Sequence, residues 1–172
     1  MEKIIQLIKQ GKIFIYPTDT IYGLGCNALN KKSVEKIKNL KKRDKNKPLS
    51  IIAPSKSWIH KHTTADKKLV DKYLPGKYTL ILKKKDKKFL NYISSTEYLG
   101  IRIPDNDFCR IIQSSGVPFI TTSVNLSGKP FAKSIESINK KILRKVDVIV
   151  NSGKLSGKPS TIILSNGKKL IR

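Results

Sequence analysis

Hydroxyls at the ends of β-favouring runs, a few amides and a handful of arginines are the residues of this chain that could do chemistry. Three hydroxyl residues, Thr18, Thr20 and Tyr22, stand beside one carboxylate, Asp19, and two glycines, Gly23 and Gly25. A second run, Thr122-Ser123-Val124-Asn125-Leu126-Ser127-Gly128, again ends in hydroxyls, an amide and a glycine, and Ser160 and Thr161 lie just ahead of a third apolar run. Ends of this kind gather backbone amides and short polar side chains at a sheet edge, where a polar ligand is held. Together with Lys41, Arg43 and Arg102 they form an inventory that binds phosphates and orients reactants. It suits a reaction in which the protein stabilises charge on a polyphosphate and the chemistry belongs to an activated nucleotide. Arg102 sits inside an apolar strand, so its guanidinium requires an anionic partner, either a carboxylate of the protein or a ligand.

Other chemistries lack their parts. Nothing assembles into a nucleophilic triad, which leaves acyl-enzyme and glycosidase mechanisms without support. Cys26 and Cys109 make no CxxC pair and are expected to be reduced and half buried. His60 and His62 have no third ligand nearby, so no metal site is predicted. The G-x-G-x-x-A match at residues 23–28 is separated from its strand by the hydroxyl turn and lacks the acidic residue that would hold a ribose. The stretch 153–158 is one residue short of a Walker A loop, and Pro159 stands where Ser or Thr is required.

These residues must be positioned by alternating helices and strands. Apolar spacing predicts helices over 2–10, 31–40, 65–74, 106–115 and 134–144, with Asn30 and Thr64 as N-caps and Gly116 at a C-terminus. Strands are predicted over 13–15, 49–53, 78–82, 100–103, 117–121, 146–150, 162–164 and near 169–171. The segment 57–62 is ambiguous. No repeat or low-complexity linker interrupts the pattern, so the expectation is one α/β domain over 1–172, with a twisted, open mixed sheet and flanking helices. No window spans a bilayer and the first ten residues are too short and charged for a signal peptide, so a cytoplasmic protein is expected. The net charge of +24 invites a nucleic-acid reading. Yet 31 of the 36 basic residues are lysines, and runs such as 83–85 read most simply as solvated edges. The five arginines carry more information.

Seven motifs in order then converge. YPTDTIYGLG at 16–25, K-x-R at 41–43, KPLS at 47–50, PGKYT at 75–79, GIRIPD at 100–105, SVNLSG at 123–128 and PSTI at 159–162 together resemble the YrdC/Sua5 family of L-threonylcarbamoyladenylate synthases, in its short form. The resemblance implies condensation of L-threonine, bicarbonate or CO2, and ATP to threonylcarbamoyl-AMP and pyrophosphate. It also implies a concave basic face, Mg2+ as a companion of ATP without a protein ligand, and a product handed to a complex that modifies adenosine 37 of tRNA. By motif, Lys41, Arg43, Ser123 and Asn125 fall on the ATP phosphates, with Lys41 and Arg43 as catalytic cations, and Ser160 closes that end. Thr18, Thr20 and Tyr22 line the threonine pocket, and Arg102 faces the threonine carboxylate or a phosphate. The competing class is a noncatalytic module binding tRNA or rRNA through its basic face, and weak RNA binding is compatible with either.

Overall fold

The computed structural model describes residues 1–44 and 46–170. Its strands, β1 (Phe14–Tyr16), β2 (Gly23–Gly25), β3 (Ser50–Ile52), β4 (Tyr78–Lys83), β5 (Tyr98–Arg102), β6 (Phe119–Ser123), β7 (Val148–Ile149), β8 (Thr161–Leu164) and β9 (Lys169–Leu170), form one mixed sheet in the order β7-β1-β2-β6-β3-β5-β4-β8-β9. The helices are α1 (Glu2–Lys9), α2 (Lys31–Leu40), α3 (Lys56–His62), α4 (Lys67–Tyr73), α5 (Asp107–Ser114) and α6 (Lys140–Leu143).

The period of two in the strands sorts side chains to two faces. Ile15, Ile51, Leu80, Ile101 and Ile120 enter a large core that also takes Val34 and Ile37 of α2, Ile59 of α3 and Val70 of α4. Their neighbours Phe14, Tyr16, Ile52 and Phe119 point the other way, into a smaller core closed by Ile8 of α1 and by Phe108 and Ile112 of α5. One face is thus well covered, whereas the other is covered only beside α1 and α5. The rest of that second face carries Ser50, Thr79, Ile81, Arg102, Thr121 and Ser123, and it is where the cavity lies.

Local chemistry sets the helix ends. Asn30 accepts the amide of Ser33 at 3.1 Å to start α2, and Asn106 accepts those of Phe108 and Cys109 to start α5; each such cap contributes about 1 kcal/mol. The ambiguous segment is helical because Ser55 caps it through the Trp58 amide.

Several expectations are corrected. The third predicted helix begins two residues late, as α4, because Asp66 and not Thr64 supplies the cap. The predicted helix over 134–144 reduces to the four residues of α6: Ser137 Oγ takes the amides of Lys133 and Ser134 and donates to the Ser134 carbonyl, holding tight turns in its place. The strand predicted over 117–121 is displaced to Phe119–Ser123, since Pro118 has no N–H for the ladder and the hydroxyl residues Thr122 and Ser123 pair with β2. The strand predicted over 146–150 shortens to β7. At the last strand Ile171 lies outside the described residues. Cys26 and Cys109 are free and fully buried, not half buried; burial pushes the Cys26 thiol well up and that of Cys109 up to about 12, so both are poor nucleophiles.

Candidate active site

A cavity of about 490 Å3 opens on the uncovered part of the sheet face, and Thr18, Thr20, Tyr22, Arg43, Arg102, Ser123 and Ser160 all line it. Residues far apart in sequence meet there because the strand order interleaves the chain: Gly23 pairs with Ser123, Ser50 with both Gly100 and Thr121, and Thr79 with Ile162. Lys41 and Asn125 are not in its lining. They lie behind it, bonded to each other.

At one end the hydroxyls form a directed chain. Thr18 Oγ1 donates its single proton to the Ile21 carbonyl at 2.7 Å, so in its 2.9 Å contact with Thr20 the Thr20 hydroxyl is the donor. Thr20 Oγ1 then offers lone pairs to the cavity, and Arg102 Nη2 approaches one at 3.4 Å. Arg102 meets its required anion in Asp19: the pair is 2.7 Å apart with both side chains under a tenth exposed, and Asp19 Oδ2 accepts the Asp105 amide. Arg102 Nε is buried without a partner among the described residues. A buried pair of this kind gains little net stability, yet losing one partner strands the other charge.

Tyr22 reaches past the cavity wall. Its hydroxyl donates to the Gly153 carbonyl at 2.7 Å and accepts the Ser152 amide at 2.9 Å, tying down the irregular segment before β8. Gly157 of that segment lies flat against Thr20, where an added Cβ would come within 2.0 Å of the Thr20 carbonyl oxygen. The glycines of the YGLG stretch serve elsewhere: a Cβ on Gly23 would strike the Tyr16 ring, and one on Gly25 the Ile120 carbonyl.

The other end is cationic. Arg43 holds the Pro48 carbonyl at 2.6 Å and the Lys47 carbonyl at 3.2 Å, and no carboxylate among the described residues neutralises it. Burial lowers its pKa, and a guanidinium keeps its charge in proteins. Lys41 is 1% exposed. Its ammonium donates to the Ser123 carbonyl, to the Asn125 carbonyl at 2.9 Å and to Asn125 Oδ1 at 2.8 Å, which uses all three of its protons. Burial, reinforced by the neighbouring Arg43, pulls its pKa down to about 7. Ser123 Oγ donates to the same Asn125 Oδ1 at 2.6 Å, and Asn125 Nδ2 donates to the Lys129 carbonyl. Ser160 belongs instead beside Arg102: it pairs at 2.7 Å with Thr79, which stands across from Arg102 on the same sheet face, and whichever of the two donates, the other keeps a proton for the cavity.

The sequence motifs took in Asp19, Lys47, Ser50 and Thr79 without giving them roles, and Thr121 and Gly157 were passed over as site residues. Thr79 was findable, being a polar residue amid the apolar run of β4; Gly157 was not, because its contact crosses the whole chain. No carboxylate lines the cavity among the described residues, and no cluster of three or more His, Cys, Asp or Glu occurs among them.

A half-covered mixed sheet whose bare face presents arginines and strand-end hydroxyls defines a small-molecule site for a ligand that is anionic at one end and hydrogen-bonding at the other. The family model Sua5/YciO/YrdC, described as telomere recombination, matches residues 6–172, and the chain belongs to that family. It is 44% identical over 178 residues to a putative threonylcarbamoyl-AMP synthase of Methanocaldococcus jannaschii, an alignment covering 99% of this chain and 84% of that protein. It is 32% identical to the threonylcarbamoyl-AMP synthase of Bacillus subtilis, across 91% of this chain but 47% of the relative. Pyrococcus abyssi Sua5 complexed with L-threonine superposes with a TM-score of 0.83 at 28% identity, over 94% of this chain and 49% of that one. The chain therefore spans about half the length of the last two. No helix among the described residues is long and apolar enough to cross a membrane.

Proposed function

We propose that this protein is an L-threonylcarbamoyl-AMP synthase that condenses L-threonine, bicarbonate or CO2, and ATP, releasing pyrophosphate. The observation that carries the reading is the polarity of the cavity, with an uncompensated Arg43 at one end and the directed Thr18–Thr20 chain with Arg102 at the other. The activity named for the relatives and the threonine bound by P. abyssi Sua5 agree with it.

Threonine occupies the end formed by Thr18, Thr20, Tyr22 and Arg102. Its amine captures CO2, forming the carbamate N–C bond with loss of a proton. A carbamate oxygen attacks the α-phosphorus of ATP, and the bond to the bridging oxygen breaks as pyrophosphate departs. Arg43 lies against the phosphates and meets the negative charge growing on the leaving group. Lys41 and Asn125 act from behind: with the ammonium protons already spent, they fix the Ser123 turn that borders the phosphates. Mg2+ would enter as a companion of ATP, held by phosphate oxygens and water. The product passes to a complex that modifies tRNA in the cytoplasm.

Pyrophosphate release is the test. It should require L-threonine and bicarbonate together; ATP consumption indifferent to either would refute the assignment.

A further inference from the structure

One hydroxyl on the cavity floor takes no part in the networks described above. Ser50 opens β3 and faces the cavity between Thr121 of β6 and Gly100 of β5, its neighbours in register. The other side-chain hydroxyls of that face have partners. Thr18 and Thr20 bond to each other, Thr79 to Ser160, Thr121 to Tyr16, and Ser123 to Asn125. Thr122 has the parity of Ile120, and of its own partner Leu24, in the large core, so its side chain goes to the other face of the sheet. The Ser50 hydroxyl has no hydrogen-bond partner among the described residues, and it keeps its proton and lone pairs for a ligand.

Gly100 sets where that hydroxyl points. Glycine weakens the interior of a strand, and Gly100 is not in the left-handed region that would call for it. What calls for it is the close approach of Ser50: a Cβ built on Gly100 would overlap Ser50 Oγ and stand 3.2 Å from Ser50 Cβ. The hydroxyl therefore fills the space of a missing side chain. Its place along the sheet is between the two ends of the cavity. Pro48, whose carbonyl anchors Arg43, precedes Ser50 by two residues, and on the parallel neighbour Arg102 follows Gly100 by two. Each step is about 7 Å of strand, so the hydroxyl stands between the guanidinium at the phosphate end and the one at the threonine end.

We infer that Ser50 holds the carbamate of the proposed reaction, donating a hydrogen bond to the carbamate oxygen that does not attack phosphorus. This rests on the proposed function and assigns it one more substrate contact. The carbamate carbon is joined to threonine's nitrogen on one side and, through oxygen, to the α-phosphorus on the other, so it forms between the two ends. When the amine nitrogen bonds to CO2, one C=O electron pair moves onto oxygen and the amine sheds a proton to solvent. The new anion then needs a donor in a cavity where Arg102 is already paired with Asp19 and Arg43 serves the phosphates. A hydroxyl bonded to a charged oxygen is a strong contact, and it leaves the second oxygen directed at phosphorus. The Ser50 proton stays on Ser50 throughout.

Steady-state pyrophosphate release by the full chain, with each substrate varied in turn, tests this. Ser50→Ala should raise the KM for bicarbonate about 10- to 100-fold. The KM for ATP, and the Kd of L-threonine alone from calorimetric titration, should stay within about twofold, with the Tm unchanged. Gly100→Ala, whose methyl pushes the hydroxyl aside, should also raise the KM for bicarbonate. If it acts through Ser50, the Ser50→Ala/Gly100→Ala double variant should be no worse than the poorer single one. An unaltered KM for bicarbonate in Ser50→Ala, an equal loss in the binding of threonine alone, or losses that multiply in the double variant would each overturn the assignment. A wild type whose pyrophosphate release ignores threonine and bicarbonate would refute the proposed function and this contact with it. A wild type that needs both, beside a Ser50→Ala with unchanged bicarbonate dependence, would overturn the role of Ser50 alone.

Discussion

At the scale of single residues the site divides by whether a side chain has protons or charge left to give. Lys41 has none, since three carbonyl oxygens take them all. Arg43 has both, being anchored by two main-chain carbonyls and neutralised by no carboxylate among the described residues. Arg43→Ala should therefore lower kcat by about 100-fold while changing the KM for threonine little, a split that steady-state kinetics with each substrate varied would read. Asp19 belongs to the opposite end. Asp19→Ala leaves the Arg102 guanidinium buried without its carboxylate, and denaturant titration should show a loss of about 3 kcal/mol together with a raised KM for threonine. If stability fell and the KM did not move, Arg102 would be a structural residue and not a substrate contact.

At the scale of elements, the wall beside Thr20 comes from a segment with no regular structure, held by the Tyr22 hydroxyl and seated through Gly157. Gly157→Ala puts a methyl 2.0 Å from the Thr20 carbonyl oxygen, and one of the two must move. Displacement of that order should raise the KM for threonine about tenfold or more, with less effect on ATP. Much of the architecture was legible in sequence because it rests on local signals: Asn30 announces its helix, and the apolar runs at 49–53 and 78–82 mark strands. The hydroxyl runs at 18–22 and 122–128 marked strand ends whose Thr18, Thr20, Tyr22, Thr122 and Ser123 share a cavity. What was not legible depends on contacts across the chain or on competition between side chain and backbone. Gly157 gives no local hint of Thr20, Ser137 dissolves a helix that its apolar spacing promised, and the demand of Arg102 for an anion could be read while its answer, Asp19, could not.

At the scale of the whole molecule, buried lysines tie stability to pH. Lys41 releases its proton near about 7 in the folded chain but only at about 10.4 when unfolded, so between these values the unfolded state binds more protons and stability rises with pH. Below that window both states are charged and the burial penalty is felt in full. Lys38 and Lys84 are shifted down by burial in the same sense, and shedding part of a net charge of +24 also favours the compact state. Chemical denaturation from pH 7 to 9 should show this rise, and Lys41→Met should flatten it; an unchanged slope would mean that the Lys41 ammonium keeps its charge in the clamp.

The central claim is that one cavity joins threonine, CO2 and an adenylate. Incubating the protein with ATP, Mg2+, L-threonine and radiolabelled bicarbonate should yield a labelled compound that absorbs as adenine, with one pyrophosphate released for each label incorporated and none when threonine is left out. Label that never enters an adenine-containing product, or pyrophosphate that appears without threonine, would contradict it.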